Sequence, residues 1–563
     1  HSSWLALIDG RLDLSRRLTT EDGSHIVAID ENEQEVLGQV LSLQFPEHEK
    51  ICVAIIHNKK GIQGDYFSYN HDYAFFCIGP GLPQTHGAPV PKEEWEYTNL
   101  RKWGRESERA TARNCFYPII VENGQIVDFG EVCPDDFHPG ASNVVVGTRV
   151  EVYPVDASGT ERKWRYARAS VESIRHLLRV HVTSSGEVQV HKAVEERPIK
   201  TVWDDPRYIA GDYGTKWLTD LGLKISEDLY PKSVHVVEDS VRAVSDSGSL
   251  VLDYFAGSGT TGHAVVNLNR TNHTHRRFIL VEIGDYFDTV LLPRLKKVTF
   301  TPEWKDGKPN RLATPEEAER SPRIMKVVRL ESYEDTLNNL DLRRTDEQGK
   351  LLSSPAAQGT DGFREQYLLR YILDVETRGS QSLLNIAAFT DPTAYRLKVK
   401  RPGSVESQEV NVDLLETFNW LIGLTVRNIT APRTFSAEFK RDDDPDLPED
   451  APRRLLLDGR LKEDPAGPWW FRAVTGTTPD GRKTLVIWRK RPGGETPGGI
   501  EQDNLVLDEW FTRQGYSAKD SEFDLIYVNG DNNLENLKAP DDTWKVRLIE
   551  EDCHRLMFEA EGV

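Results

Sequence analysis

Cysteine is scarce, five in 563 residues, and no two stand as C-x-x-C. Neither a zinc cluster nor a disulfide framework is therefore expected, and no metal is assigned. Cys52, Cys77, Cys115, Cys133 and Cys553 read as reduced thiols of a cytoplasmic protein. No apolar run approaches the roughly 20 residues that cross a bilayer, so the membrane is not expected as a partner. A secretory signal is missing too, and so is an initiator methionine. His1 stands inside a helical pattern, which reads as a processed chain or a fragment. Positive charge is in deficit, with a net charge of -20, and this argues against a general nucleic-acid binder. What the chain has is length, enough for about three domains, with 38% hydrophobic and 28% charged residues, the balance of a globular protein.

The most informative stretch is LVLDYFAGSGTTGHAVVNLNR, residues 250–270. Apolar residues around Asp253 predict a buried strand, Phe255 to Gly259 a tight loop, and the spacing of Ala264, Val265 and Leu268 a helix. Gly257 and Gly259 let the backbone approach a ligand at the helix start, where free amides favour polar or anionic groups. A phosphate-gripping loop needs Gly-Lys-Ser/Thr here, and His263 stands where the lysine is required. Gly257, Gly259 and Gly262 meet the bare G-x-G-x-x-G spacing, which leaves an NAD-type oxidoreductase as one reading. Against it stand the acid ending the strand and the aromatic soon after. The next strand, RRFILVEI, ends near Glu282, where an acid holds ribose hydroxyls in Rossmann-like units.

DYFAGSGTT resembles motif I, the S-adenosylmethionine loop D-P-F-x-G-S-G-T-T of amino-directed DNA methyltransferases, with Tyr254 in place of the proline. The opening HSSWLALIDGRLDLSRRLTTEDGSHIVAIDENEQ is similar to the segment after the catalytic motif in Mod subunits of type III restriction-modification systems. These are β-class, adenine-specific enzymes whose catalytic half precedes the cofactor half. KEEWEYTNLRKWGRES, CFYPIIVENG and EVYPVDASGTERKWRYARASV resemble that family's target-recognition region, and TVWDDPRYIAGDYGTKWLTDLG with DLYPKSV its approach to motif X. The resemblance implies an α/β fold: a Rossmann-like methyltransferase sheet in circularly permuted order, an inserted recognition region and an α+β C-terminal domain. The implied boundaries are 1–84 for the catalytic half, 85–200 for recognition, 201–340 for the cofactor half and 363–563 for the C-terminal domain. It implies S-adenosylmethionine on Asp253, Phe255, Ala256, Gly257, Ser258, Gly259, Thr260 and Glu282, with Lys232 as a further contact. The implied partners are duplex DNA, a second copy of the chain and a cognate restriction subunit.

The family's catalytic motif, Asp/Asn-Pro-Pro-Tyr/Phe, has no match. Asp205-Pro206-Arg207-Tyr208 comes within one residue, but Arg207 brings a charge and a backbone N–H where a dry acceptor site is needed. Without the motif the adenine amine stays conjugated and is a poor nucleophile, so the chain alone is expected to be a poor catalyst. The alternative is a DNA-binding subunit or pseudoenzyme that works through a partner carrying the motif. Arg101, Lys102, Arg105, Arg109 and Arg113 cluster, as do Lys163 and Arg165 with Arg162, Arg168, Trp164 and Tyr166. Such clusters suit phosphate contact and base readout, or else form solvated faces. YFSYNHDY resembles the family's aromatic-rich segment near the flipped base, which implies Phe67 and Tyr69 stacking on adenine and His71 contacting the DNA backbone; the alternative is a loop of core aromatics, and Lys59 and Lys60 face phosphate or solvent. Beyond the cofactor half, the pattern predicts a strand over 324–330, helices over 333–342 and 365–375, a polar linker over 345–362 and a βαβ-like run from Thr484 to Asn529. Glu438-Phe439-Lys440 is a bare nuclease-like E-x-K.

Overall fold

The computed structural model describes residues 2–558 except 60, 64–65, 83–84, 105, 225–228, 323, 359–375, 378, 402–403, 405, 443–452, 495, 520–521 and 539–542. It divides into two compact units, His1–Met325 and Lys326–Val563.

The first unit opens with helix α1 (Ser2–Leu18), strand β1 (His25–Ile29), helix α2 (Gln34–Gln44), strand β2 (Glu49–Ile56) and strand β3 (His71–Ile78). β3 lies between β1 and β2, antiparallel to both, and a late strand, Val202–Trp203, adds in parallel beyond β2. Side chains on a strand alternate faces, and β3 shows what this does. Phe75 and Cys77 pack under Leu12, Leu37 and Leu41 of the two helices, while Ala74 and Phe76 meet Trp203, Tyr208 and Val236 on the other side.

Residues 85–200 follow as antiparallel sheets around one core. Strands β4 (Tyr97–Asn99), β5 (Ile119–Glu122), β6 (Gln125–Phe129), β7 (Asn143–Val146), β8 (Arg149–Val152), β9 (Leu178–Val182) and β10 (Val188–Ala193) pair as β7-β8-β5-β6 and β9-β10-β4. Asn123 and Gly124, at φ 51 and 76, make the two-residue turn between β5 and β6. Tyr117, Ile119, Phe129, Trp164 and Val190 fill the core between the sheets.

The rest of the unit is the strand, loop and helix read from sequence. Helix α3 (Val234–Ala243) precedes strand β11 (Leu250–Asp253), helix α4 (Thr260–Asn272), strand β12 (Arg277–Leu280) and helix α5 (Leu292–Phe300). β11 and β12 run parallel, Asp253 opposite Leu280. Val251 and Phe278 pack under Val241, Val265 and Leu268 of the helices. On the opposite face Leu250, Leu252, Ile279 and Val281 stay 36–51% exposed, an apolar surface of a kind parallel sheets usually cover.

Several expectations fail downstream. Residues 324–330 form no strand, and the helix from Tyr333 stops at Asn338. The expected linker contains helices Asp346–Leu352 and Pro355–Gln358. The first starts at a capping box in which Thr345 and Gln348 satisfy each other's amides, a signal outweighed by the polar composition around it. The helix over 365–375 lies outside the described residues.

In the second unit, Lys483–Arg489 and Leu525–Val528 are parallel neighbours joined by helix Pro497–Arg513, the βαβ run predicted from sequence. Leu485 and Ile487 face that helix, while Val486 and Trp488 face Phe418, Ile549 and Cys553. Both faces are covered, which is why the strand is apolar throughout. Glu438 and Lys440 sit on the surface, ion-paired to Lys462 and Asp458. No group of three or more metal-ligating side chains occurs among the described residues, nor any helix long and apolar enough to cross a membrane.

Leu37, 0% exposed between α1 and β3, gives a direct check on this packing. Leu37→Ala should cost the first unit about 2–5 kcal/mol in urea unfolding.

Candidate functional site

β11 delivers Asp253 to the start of the glycine loop, and β12 delivers the segment ending in Glu282 alongside it. Parallel pairing continues one step past the strands, the Val281 amide donating to the Asp253 carbonyl (2.9 Å) and the Ala256 amide to the Val281 carbonyl (3.1 Å). Glu282 then closes the loop. Its Oε2 accepts the Gly257 amide at 2.7 Å, and its Oε1 accepts the amides of Ile283 and Gly284 at 2.8 Å each. Asp253 works on the same loop from the other side, accepting the Phe255 amide at 3.1 Å and the Thr261 hydroxyl at 2.5 Å. The two carboxylates expected to flank a ligand thus share one turn of backbone.

The glycines divide the work. Gly257 and Gly259 take φ 54 and 78, values that side chains oppose. A Cβ on Gly257 would meet only the Phe255 carbonyl at 3.9 Å, so the space above it is open. Gly259 caps α4 with Leu291 closing in, and a Cβ on Gly262 would lie 2.6 Å from Leu295 Cδ2. Gly257 is therefore the glycine with open space above its Cα, while Gly262 lets helix meet helix.

Behind the loop lies a group that sequence reading missed. Arg294, on α5 and 0% exposed, donates Nη1 to the Ser258 hydroxyl (2.9 Å), the Ser258 carbonyl (3.2 Å) and the Thr260 hydroxyl (3.0 Å). Its Nε and Nη2 lie 3.3 and 3.2 Å from His263 Nδ1. Burial holds the guanidinium down to about 9, and burial with the nearby Arg294 charge drives His263 far below its ordinary range. His263 is thus neutral, with Nδ1 accepting. Nothing in LPRLKKVTF marks Arg294 as different from an ordinary helix arginine. His263, standing where a phosphate loop has lysine, was the readable half of the pair.

This corrects the expected cofactor set. Ser258 and Thr260, 4% and 7% exposed, point inward to Arg294, and Ala256 packs against Leu291 and Leu295. The open side is left to Asp253, Gly257, Glu282 and Phe255, whose ring is 55% exposed. Lys232 reaches Asp72 on β3 as an ion pair and not the glycine loop. The near-match to the catalytic motif is structural as well. Asp205 caps the amide of Arg207, and Tyr208, buried at 8%, stacks on Trp203 and donates to Asp239 at 2.6 Å. A ring held there is not available to a base.

A family profile described as DNA methylase matches residues 1–290. The chain belongs to that family. Among relatives, it is 28% identical to the type III restriction-modification enzyme EcoPI Mod subunit of Escherichia phage P1, over 50% of this chain and 45% of that protein. It is 25% identical to the type II methyltransferase M.KpnI of Klebsiella pneumoniae, over 50% of this chain and 67% of that one. It is 24% identical to the EcoP15I Mod subunit of Escherichia coli, over 51% and 47%. The chain thus spans about half the length of the Mod subunits it matches. A solved M1.HpyAVI-SAM complex covers 51% of this chain and 81% of that chain at 11% identity and a TM-score of 0.23, a likeness too slight to bear on the fold.

For a DNA methylase the basic clusters matter, and the structure takes them apart. Arg101 is 6% exposed and donates to the Val155 carbonyl. Arg109, at 8%, is consumed by Glu161 and the carbonyls of Cys133, Pro134 and Phe137. Both are core cations and are withdrawn as DNA contacts. Arg113 pairs with Asp135 at the surface, Lys102 lies 4.0 Å from Glu106, and Arg165 donates to the Thr98 hydroxyl at 3.3 Å. Lys163 is half-buried beside Trp164, and Arg105, like Lys60, lies outside the described residues. Phe67 is 83% exposed and Tyr69 47%, as stacking groups need to be. His71 is held between Asn70 and the Tyr73 hydroxyl at 2.9 and 3.0 Å.

Arg294→Ala leaves four buried acceptors, the Ser258 hydroxyl and carbonyl, the Thr260 hydroxyl and His263 Nδ1, without this donor, and should lower stability by about 3 kcal/mol or more in urea unfolding, with Arg294→Lys recovering part of it. His263 sets a pH dependence. Its folded-state affinity for a proton is depressed, so the unfolded chain binds the proton preferentially and stability falls as pH drops below the ordinary value of 6.5. The urea midpoint of the first unit should be flat from pH 8 to 7 and decline toward pH 5, by about 1.4 kcal/mol per pH unit for this one group.

Proposed function

We propose that the chain is an S-adenosylmethionine-dependent DNA methyltransferase acting on the exocyclic amino group of adenine at a specific duplex site, in a restriction-modification or phage-defence setting. The observation that carries this is the pair of carboxylates, Asp253 and Glu282, bound to the amides of one glycine turn with open space above Gly257. The residues fit the cofactor. Glu282 stands just past the second strand, where a sugar hydroxyl would exchange for one of the donors it now accepts, the exposed Phe255 ring offers a face beside it, and the bare Cα of Gly257 admits close approach. Bound there, the cofactor supplies an electrophilic methyl on sulfonium. The chain's own contribution is to fix its position, which removes most of the entropy of bringing two reactants together.

The names of the relatives support duplex DNA and a restriction subunit as partners. A second reading is favoured by the structural use of Asp205 and Tyr208: the chain binds cofactor and DNA, and the group that accepts the amine's hydrogens comes from another polypeptide.

Calorimetry should show S-adenosylmethionine binding and no NAD binding; the reverse would dismiss the proposal in favour of an oxidoreductase. Glu282→Gln turns one acceptor into a donor facing backbone amides, and should weaken the cofactor by roughly ten- to a hundredfold. Transfer of labelled methyl to adenine-containing duplex by this chain alone would set aside the second reading.

A further inference from the structure

The outer face of the three-stranded sheet β9-β10-β4 has a composition unlike the rest of the recognition region. Its register places Arg179 opposite His191, His181 opposite Gln189, and His191 opposite Asn99, with Tyr97 one pair further along. Residues facing each other across a ladder point the same way, so these six side chains share one face. The alternate residues, Leu178, Val180, Val188 and Val190, enter the core. The face is thus a small field of donors and acceptors on a rigid support.

It is also ordered. The His181 and His191 rings stack at 4.5 Å, Asn99 donates to Gln189 at 3.0 Å, and the Arg179 guanidinium lies 3.5 Å above the centre of the Tyr97 ring. Burial and the neighbouring His181 and Arg179 hold His191 below its ordinary range, and its Nε2 lies 3.3 Å from Gln189 Oε1.

What sets Arg179 apart is what it does not do. Arg101 and Arg168 are spent on carbonyls, Arg113, Arg149, Arg162 and Arg197 on carboxylates, Arg109 and Arg175 on both, and Arg165 on a hydroxyl. Among the described arginines of residues 85–200, only Arg179 has neither a hydrogen bond nor an ion pair within the chain. It is exposed, and stacking on Tyr97 holds its fork of donors without using any of them.

We propose that this face reads the DNA duplex in the major groove, with Arg179 contacting a guanine. The β9-β10 pair, which carries Arg179, His181, Gln189 and His191, is a two-stranded ribbon of the kind that fits that groove, and a planar guanidinium matches the O6 and N7 acceptors of guanine as no other side chain does. His181 and Gln189 address the neighbouring base pair. The assignment rests on the DNA-methylation reading above and goes beyond it by naming the surface that confers sequence choice.

The test is selection from a double-stranded DNA pool of randomised sequence by the full chain with S-adenosylmethionine, for the parent and for Arg179→Ala and Arg179→Lys. The parent should enrich a fixed motif containing a guanine. Both variants should enrich the same motif with that position relaxed, by roughly tenfold to a hundredfold in preference, with Arg179→Lys keeping more of the overall affinity. Unchanged cofactor binding in calorimetry shows that the variants are folded. Identical motifs from parent and variants would overturn the assignment of Arg179 and leave the methylase reading standing. No enriched motif from the parent would instead overturn the reading on which it rests.

Discussion

A single carboxylate sets the geometry of the glycine loop after Asp253. Glu282 stands just past the end of one parallel strand and accepts amides from two directions, its own turn and the loop after the neighbouring strand. Of its three charge-assisted bonds, one fixes the Gly257 amide and two fix the carboxylate on its own turn, with Asp253 holding the loop from the far side. Because Asp253 and Glu282 terminate adjacent parallel strands, their approach follows from the βαβ connection. The site lies where such folds generally place ligands, beyond the carboxyl ends of the strands.

The loop has a wet side and a dry side. Gly257, Phe255 and the two acids face outward, while Ser258, Thr260 and His263 converge on Arg294, a buried cation with no ion pair among the described residues. Such an arrangement is stable only if every donor is used. That requirement explains why two hydroxyl residues occupy a turn where small apolar ones would pack as well.

How much of this was legible depended on whether the signal was local. The strand, loop and helix of residues 250–270 were readable because periodicity and glycine placement sit within twenty-one consecutive residues. The βαβ run of the second unit was readable for the same reason. Local signals cannot say which side of a loop a hydroxyl takes, so Ser258 and Thr260 were assigned to the ligand while Arg294, thirty-six residues from Ser258, drew them inward. The basic clusters mislead in a related way. Arg101 and Arg109 are close to other cations in sequence, yet carbonyls contributed by distant loops bury them. Arg179 belongs to no cluster and was passed over, since what distinguishes it is the lack of any acceptor, a property only the folded chain has.

The central claim is that the turn beyond Asp253 holds a sulfonium nucleoside with Glu282 on its sugar. The most direct measurement is a crystal structure of this chain with S-adenosylhomocysteine. The account predicts ribose hydroxyls within hydrogen-bond distance of the Glu282 carboxylate, with the nucleoside lying over Gly257. A nucleoside bound elsewhere, or a Glu282 that keeps all its contacts to backbone amides and makes none to the sugar, would contradict it.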